Sequence, residues 1–146
     1  MPNLKKHVLI IDCKEFNDMN SLHNIVQQLY LRNLDKIEIL SLPFICARLE
    51  IFDCKNLRAI TDLNNIEMNL NVMSCFKLES ICGCPRLENI LCILAPHTLT
   101  KIGNMPMLTS NVQLTAIGIK NLVSFSKMQT HFKINRCLGL ESLEGL

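Results

Sequence analysis

The chain has 146 residues, a net charge of +2 and 19% charged residues, which fits one domain and leaves no basic face of the kind that nucleic-acid binding needs. One Tyr and no Trp also leave it short of aromatic platforms on which bases stack. Apolar residues make up 49% of the chain, yet no run reaches the ~20 residues of a membrane span. Lys5-Lys6 precedes an apolar stretch (His7 to Ile11, stopped by Asp12) too short for a secretory leader.

In chain order, the apolar residues fall into one recurring phase. Val8, Ile10, Cys13, Phe16 and Met19 come first, followed by Leu29, Leu31, Leu34, Ile37 and Leu40. The clearest unit is Leu49, Ile51, Cys54, Leu57 and Ile60, which reads L-x-I-x-x-C-x-x-L-x-x-I and returns as Leu70, Val72, Cys75, Leu78 and Ile81. Leu91, Ile93, Pro96, Leu99 and Ile102 form the fifth unit, Leu114, Ala116, Ile119, Leu122 and Phe125 the sixth, and Phe132, Ile134, Cys137, Leu140 and Leu143 the seventh. The steps between units are 21, 20, 21, 21, 23 and 18 residues. L-x-I has period 2, which puts both side chains on one face of a short strand. The apolar steps of three that follow suit a corner. No single unit can bury its own apolar face, so the units must stack, as in a solenoid.

The spacing also predicts one short helix within Asn17 to Leu31. Asn20 or Ser21 would cap it, Leu22, Ile25 and Val26 would form its apolar side, and it would end near Gln27. Elsewhere a period near 21 leaves room only for return paths that are extended, turn-like or short 3₁₀ segments. Leu42-Pro43, Pro85 and Thr61 to Asn65 read as such paths, and Lys101 to Ser110 reads as the softest stretch, carrying the extra residues of the 23-residue step.

The pattern resembles the leucine-rich repeat, whose strand reads L-x-x-L-x-L-x-x-N/C-x-L. The C-x-x-L form at Cys54, Cys75 and Cys137 is similar to repeats of plant disease-resistance receptors, and the short period with Leu42-Pro43 is similar to those of bacterial effectors. The resemblance implies a β-dominated α/β solenoid: a leucine-rich-repeat arc of about seven units of 20–21 residues in a single domain over 1–146. Its parallel sheet would be concave and its convex side mostly non-helical.

Eight Cys invite a metal or disulfide reading. Cys13, Cys54, Cys75 and Cys137 share one repeat position, however, where a free thiol acts as a small buried hydrophobe. Cys82-Gly83-Cys84 is C-x-C, without the paired spacing of a zinc knuckle. Many unpaired thiols point to a reducing compartment, so the expected location is the cytoplasm, of the protein's own cell or of one into which it is delivered. No nucleophile elbow, metalloprotease helix or phosphate loop occurs. His7 and His131 read as solvated residues beside their strands. The expectation is a protein without enzymatic activity, cofactor or metal.

Function is then sought on the strand residues that alternate with the core and face outward. The third outward row reads Ile11, Arg32, Phe52, Met73, Leu94, Ile117 and Asn135. Phe52, Met73, Leu94 and Ile117 make an apolar stripe where solvent should be, the signature of a contact surface. Arg48, Glu50 and Asn71 border it as a polar rim, and Tyr30 and Arg32 extend it as residue types that anchor interfaces. A non-catalytic module binding a protein partner is expected, with no nucleic-acid or membrane ligand. The alternative is a structural segment of a longer array, able to associate end to end.

Overall fold

The computed structural model describes residues 7–22, 27–42, 46–63, 66–83, 90–94, 98–103, 111–115, 118–120 and 131–143. Within them the chain winds as a strand-rich parallel β-solenoid with almost no helix. Seven strands form one parallel sheet in sequence order: β1 (His7–Ile11), β2 (Gln28–Arg32), β4 (Cys46–Phe52), β6 (Ile66–Met73), β8 (Ile90–Leu94), β10 (Val112–Thr115) and β11 (Phe132–Asn135). Between them lie β3 (Ile39–Ser41), β5 (Ala59–Thr61), β7 (Ser80–Cys82) and β9 (Lys101–Gly103), which form a second parallel sheet of their own. Four consecutive turns therefore carry a strand on each sheet.

The pairing follows the apolar phase. Leu29 lies beside Leu49, Leu49 beside Leu70, and Leu70 beside Leu91. Leu31, Ile51, Val72 and Ile93 run in the same way one inward position further on. All of these are buried. Cys54 and Cys75 continue the core past the strand ends, Leu57, Leu78, Leu99 and Ile119 line the corner, and Leu40, Ile60, Ile81 and Ile102 are the buried centres of the four short strands. A fully buried Leu or Ile contributes about 1.5–3 kcal/mol over an exposed one, and here each does so mainly against the turns on either side. Val8, Phe16, Ile134, Cys137 and Leu140, in the turns of the two outermost strands, are only partly buried against the same core.

Each described corner after a long strand holds one left-handed residue. Asp12, Asn33, Asp53, Ser74 and Arg136 have φ between 53° and 57°. Asp and Asn adopt this region most readily among non-glycine residues. Their N–H groups close the ladder: Asp12 donates to the Arg32 carbonyl at 3.0 Å, Asn33 to Phe52 at 3.0 Å, Asp53 to Met73 at 3.1 Å and Ser74 to Leu94 at 3.0 Å. After β4 and β6 the cysteine two residues beyond the strand end turns inward and donates its thiol back to the strand's last carbonyl. Cys54 reaches Phe52 at 3.4 Å and Cys75 reaches Met73 at 3.5 Å. Thus Cys recurs there because it is small enough for the core and still satisfies a carbonyl.

Three expectations are corrected. First, β10 pairs Val112 with Leu91 and Leu114 with Ile93, and β11 places Phe132 beside Val112. The sixth unit therefore begins at Val112, two residues before Leu114. The steps of 23 and 18 become 21 and 20. Ile119 falls at the corner position of Leu99, since its preceding residue Gly118 donates to the Leu99 carbonyl at 2.9 Å. Second, Asn20 and Ser21, expected to cap a helix, lie among the described residues in a 3₁₀ turn at Met19–Ser21 that is itself capped by Asp18, whose carboxylate accepts from the Asn20 N–H at 2.9 Å. Residues 23–26 lie outside the described residues. Third, Thr61, expected in the Thr61 to Asn65 loop, ends β5, and Lys101 to Gly103, at the start of the stretch expected to be softest, forms β9; residues 104–110, Pro43, Pro85 and Pro96 lie outside the described residues. Cys13 makes the same thiol bond, to the Ile11 carbonyl at 3.4 Å, but is exposed rather than buried, because β1 has a neighbouring strand on one side only.

Candidate functional site

The seven-stranded sheet turns one face to the core and the other outward, and the register aligns the outward side chains in three rows. Row a contains His7, Gln28, Arg48 and Asn69, and continues through Asn111 and His131. Row b reads Leu9, Tyr30, Glu50, Asn71, Cys92, Gln113 and Lys133. Row c reads Ile11, Arg32, Phe52, Met73, Leu94, Thr115 and Asn135. Parallel neighbours are about 4.8 Å apart, so each row is a continuous track of side chains.

The expected stripe is present in part. Phe52, Met73 and Leu94 are consecutive in row c. Leu94 is exposed at 37%, whereas Phe52 and Met73 are half-buried. Ile117 lies outside the described residues, and the register gives its place in the row to Thr115. The stripe ends in a hydroxyl because the sixth unit starts two residues earlier than its apolar pattern suggests. Toward β1 the apolar surface goes on through Leu9 and Ile11, exposed at 64% and 40%. These two residues carried a signal in the sequence: Val8-Leu9-Ile10-Ile11 does not alternate, so one face of the strand had to show apolar side chains to solvent.

Tyr30 and Phe52 join the two tracks. Their rings stack at 5.0 Å between centroids with 26° between planes. Such a pair is worth about 0.5–1.5 kcal/mol beyond its buried area, and it holds the two rings against each other across β2 and β4. Arg32 is drawn aside by Asp53, with Nε 3.3 Å from the carboxylate and both side chains about half exposed (52% and 43%). A pair so open to water contributes at most about 1 kcal/mol, which leaves the guanidinium available to a better partner. Arg48 lies beside Asn69. With the Asn69 amide oxygen turned toward it, that oxygen accepts from Arg48 Nε at 3.1 Å, while the amide nitrogen donates to the Met68 carbonyl at 2.9 Å. Asn69 is thereby buried and satisfied. Glu50 and Asn71 are half-buried in row b, beside each other on adjacent strands. The nine candidate residues are thus brought to one face, save Ile117.

At the neighbouring corner, Asn33 Nδ2 donates to Asp12 Oδ1 at 2.7 Å, and the Arg32–Asp53 pair lies next to it. This polar ladder went unread in the sequence, although Asp, Asn, Asp and Ser recur just before the Cys position at Asp12, Asn33, Asp53 and Ser74. His7, on the outer face as expected, shares a 2.8 Å hydrogen bond with Gln28.

Two of the inward thiols, Cys46 and Cys75, are held neutral, while the hydrogen bond with Cys75 lowers Cys54. Burial pushes Cys46 up to about 11 against hydrogen bonds to the Arg48 and Leu29 backbone. The hydrogen bond with Cys54, together with burial, raises Cys75 above the usual thiol range. Burial raises Cys92 as well. A thiol raised in this way carries little thiolate at neutral pH and is a poor nucleophile and metal ligand. Among the described residues no three His, Cys, Asp or Glu side chains are grouped to hold a metal ion, and no helix is long and apolar enough to cross a membrane.

No family model, curated protein or solved structure matches this chain.

Proposed function

We propose that the chain is a non-catalytic binding module that engages a protein partner through the outer face of its seven-stranded sheet. One observation carries the reading: the in-register stack lines up Leu9, Ile11, Tyr30, Phe52, Met73 and Leu94 on adjacent strands of that face. A contiguous apolar surface of this kind is costly to leave in water. Arg48, Glu50 and Asn71 lie beside it as the polar rim that sets orientation, and the Tyr30–Phe52 stack supplies a rigid aromatic anchor of the sort that dominates binding energy. The likeness to leucine-rich repeats belongs to the same proposal. It is supported by the L-x-I strands and the C-x-x-L corners, and it would make the outer face the concave side of an arc.

A second reading is favoured by the edges of the stack. Val8, Phe16, Ile134 and Leu140 are core positions that remain partly exposed, and Leu138 is almost fully exposed. These would be covered if the chain were a structural segment stacked against further turns, either of a longer solenoid or of a second copy end to end.

The deciding experiment is a pull-down from cytoplasmic lysate with the wild-type chain beside Phe52→Asp/Met73→Asp, after circular dichroism and melting show that both fold. The expected result is a protein retained by wild type and lost by the double variant. Equal retention by both removes the outer face from the binding site. Retention by neither favours the structural-segment reading.

A further inference from the structure

The two end strands of the long sheet, β1 and β11, each have a neighbouring strand on one side only. The interior turns show what the other side lacks. There the left-handed corner residue of one turn donates its N–H to the last strand carbonyl of the next, as Asn33 does to Phe52 and Asp53 to Met73. The Phe52 carbonyl thus accepts twice, from the Asn33 N–H at 3.0 Å and from the Cys54 thiol of its own turn at 3.4 Å.

At the β11 end, Arg136 holds this corner position in the same left-handed form, with φ 54°. Among the described residues no following turn receives its N–H. At the β1 end, the Ile11 carbonyl accepts from its own Cys13 thiol at 3.4 Å, and among the described residues no preceding turn supplies the second donor. One edge therefore offers the donor of the ladder bond and the other edge its acceptor.

The side chains of the two edges match in the same register. Val8 and Phe132 end one core column, and Phe16 and Leu140 end another; all four are only partly buried. Asp12 and Arg136 share the corner position, carry opposite charges and are both exposed. Ion pairs already bridge adjacent turns at such corners, Lys36 with Glu15 at 3.7 Å and Lys120 with Glu141 at 3.1 Å. Cys13 and Cys137 share one position as well, as do Cys54 and Cys75, whose thiols meet across adjacent turns.

We propose that a second copy of this chain docks head to tail, with β11 of one copy running parallel to β1 of the next. Arg136 donates its N–H to the Ile11 carbonyl of the next copy, and its guanidinium pairs with Asp12 there. Phe132 packs on Val8 of the next copy, Leu140 on Phe16, and Cys137 comes beside Cys13. Open strand edges are surfaces prone to this pairing. The two surfaces differ, so a copy bound at one edge leaves its other edge open, and the assembly lengthens instead of closing as a two-fold dimer. This assignment rests on the edge-stacking reading and gives it an occupant, a direction and a register.

Sedimentation velocity of the full chain over a concentration series tests it, beside Arg136→Asp, Asp12→Arg, an equimolar mixture of those two, and Phe52→Asp. Wild type should form oligomers that lengthen with concentration. Arg136→Asp sets two carboxylates against each other and Asp12→Arg two guanidiniums, so each alone should associate at least about tenfold more weakly. The mixture restores opposite charges at every junction and should regain wild-type association, which also shows that both variants fold. Independently of the variants, a short thiol-bridging reagent followed by peptide mapping should join Cys137 of one wild-type copy to Cys13 of another. Cys13 joined to Cys13 would make the contact two-fold and overturn the head-to-tail register, while leaving edge stacking intact. A monomer at every concentration would overturn the second copy as occupant and leave edge stacking only its longer-solenoid form. Association lost in Phe52→Asp but kept in both corner variants would move the contact to the outer face and overturn the proposal together with edge stacking between copies.

Discussion

Leu70→Ala is expected to lower the free energy of unfolding by about 2–5 kcal/mol, while Asn71→Ala, one residue along the same strand, changes it by no more than about 0.5 kcal/mol. Leu70 is 0% exposed, between Leu49 and Leu91 of the adjoining turns. Truncating it leaves a cavity that the stack cannot readily close, because the strands on both sides hold their spacing through ladder hydrogen bonds. Asn71 faces away from the core and is only half-buried, so truncating it leaves no cavity. Chemical denaturation of the two variants measures the contrast. Equal losses would mean that the strand's inward and outward faces are exchanged.

Val112→Asp should be at least as damaging, costing about 3–5 kcal/mol, as expected when a charge is buried without a partner. Gln113→Asp, on the half-exposed face, should stay within about 0.5 kcal/mol. Val112 is 1% exposed, between Leu91 and Phe132. Because a solenoid's turns are stabilised by their neighbours, the damage should also be local. Amide exchange should quicken first in β10 and β11, ahead of β4 and β6. A variant that melts as one unit with unchanged stability would take Val112 out of the core.

Much of the molecule is legible in the sequence where one residue type can serve only one purpose. Leu49, Ile51, Leu70 and Val72 alternate with polar Glu50 and Asn71, so their inward phase is unambiguous. Cys54 and Cys75 are followed by Leu57 and Leu78 at a fixed step, which marks the corner. The sixth turn was not legible for a specific reason. Val112, Leu114 and Ala116 alternate with Gln113 and Thr115 for five residues, so two pairings offset by two residues satisfy the same alternation. Only the preceding return path decides between them, and its length was the unknown. The second sheet escaped because Ile39–Ser41, Ala59–Thr61, Ser80–Cys82 and Lys101–Gly103 are too short to show a period. Asp18 displaced Asn20 as a cap because the turn it starts is 3₁₀ and begins at Met19. On the outer face the outward placement of Arg48, Glu50, Asn71, Phe52, Met73 and Leu94 was readable from alternation alone. The Tyr30–Phe52 stack depends on which strands are neighbours, and alternation within one strand carries no such information.

The outer rows exist only if every long strand lies beside its neighbour in one phase, and the sixth is where that phase had two solutions. Interstrand nuclear Overhauser effects on labelled protein test it directly. Close backbone contacts of Leu91 with Val112, and of Val112 with Phe132, are the predicted result. Contacts of Leu91 with Leu114 instead would restore the 23-residue step, return Ile117 to the apolar row and put Thr115 in place of Gln113 in row b.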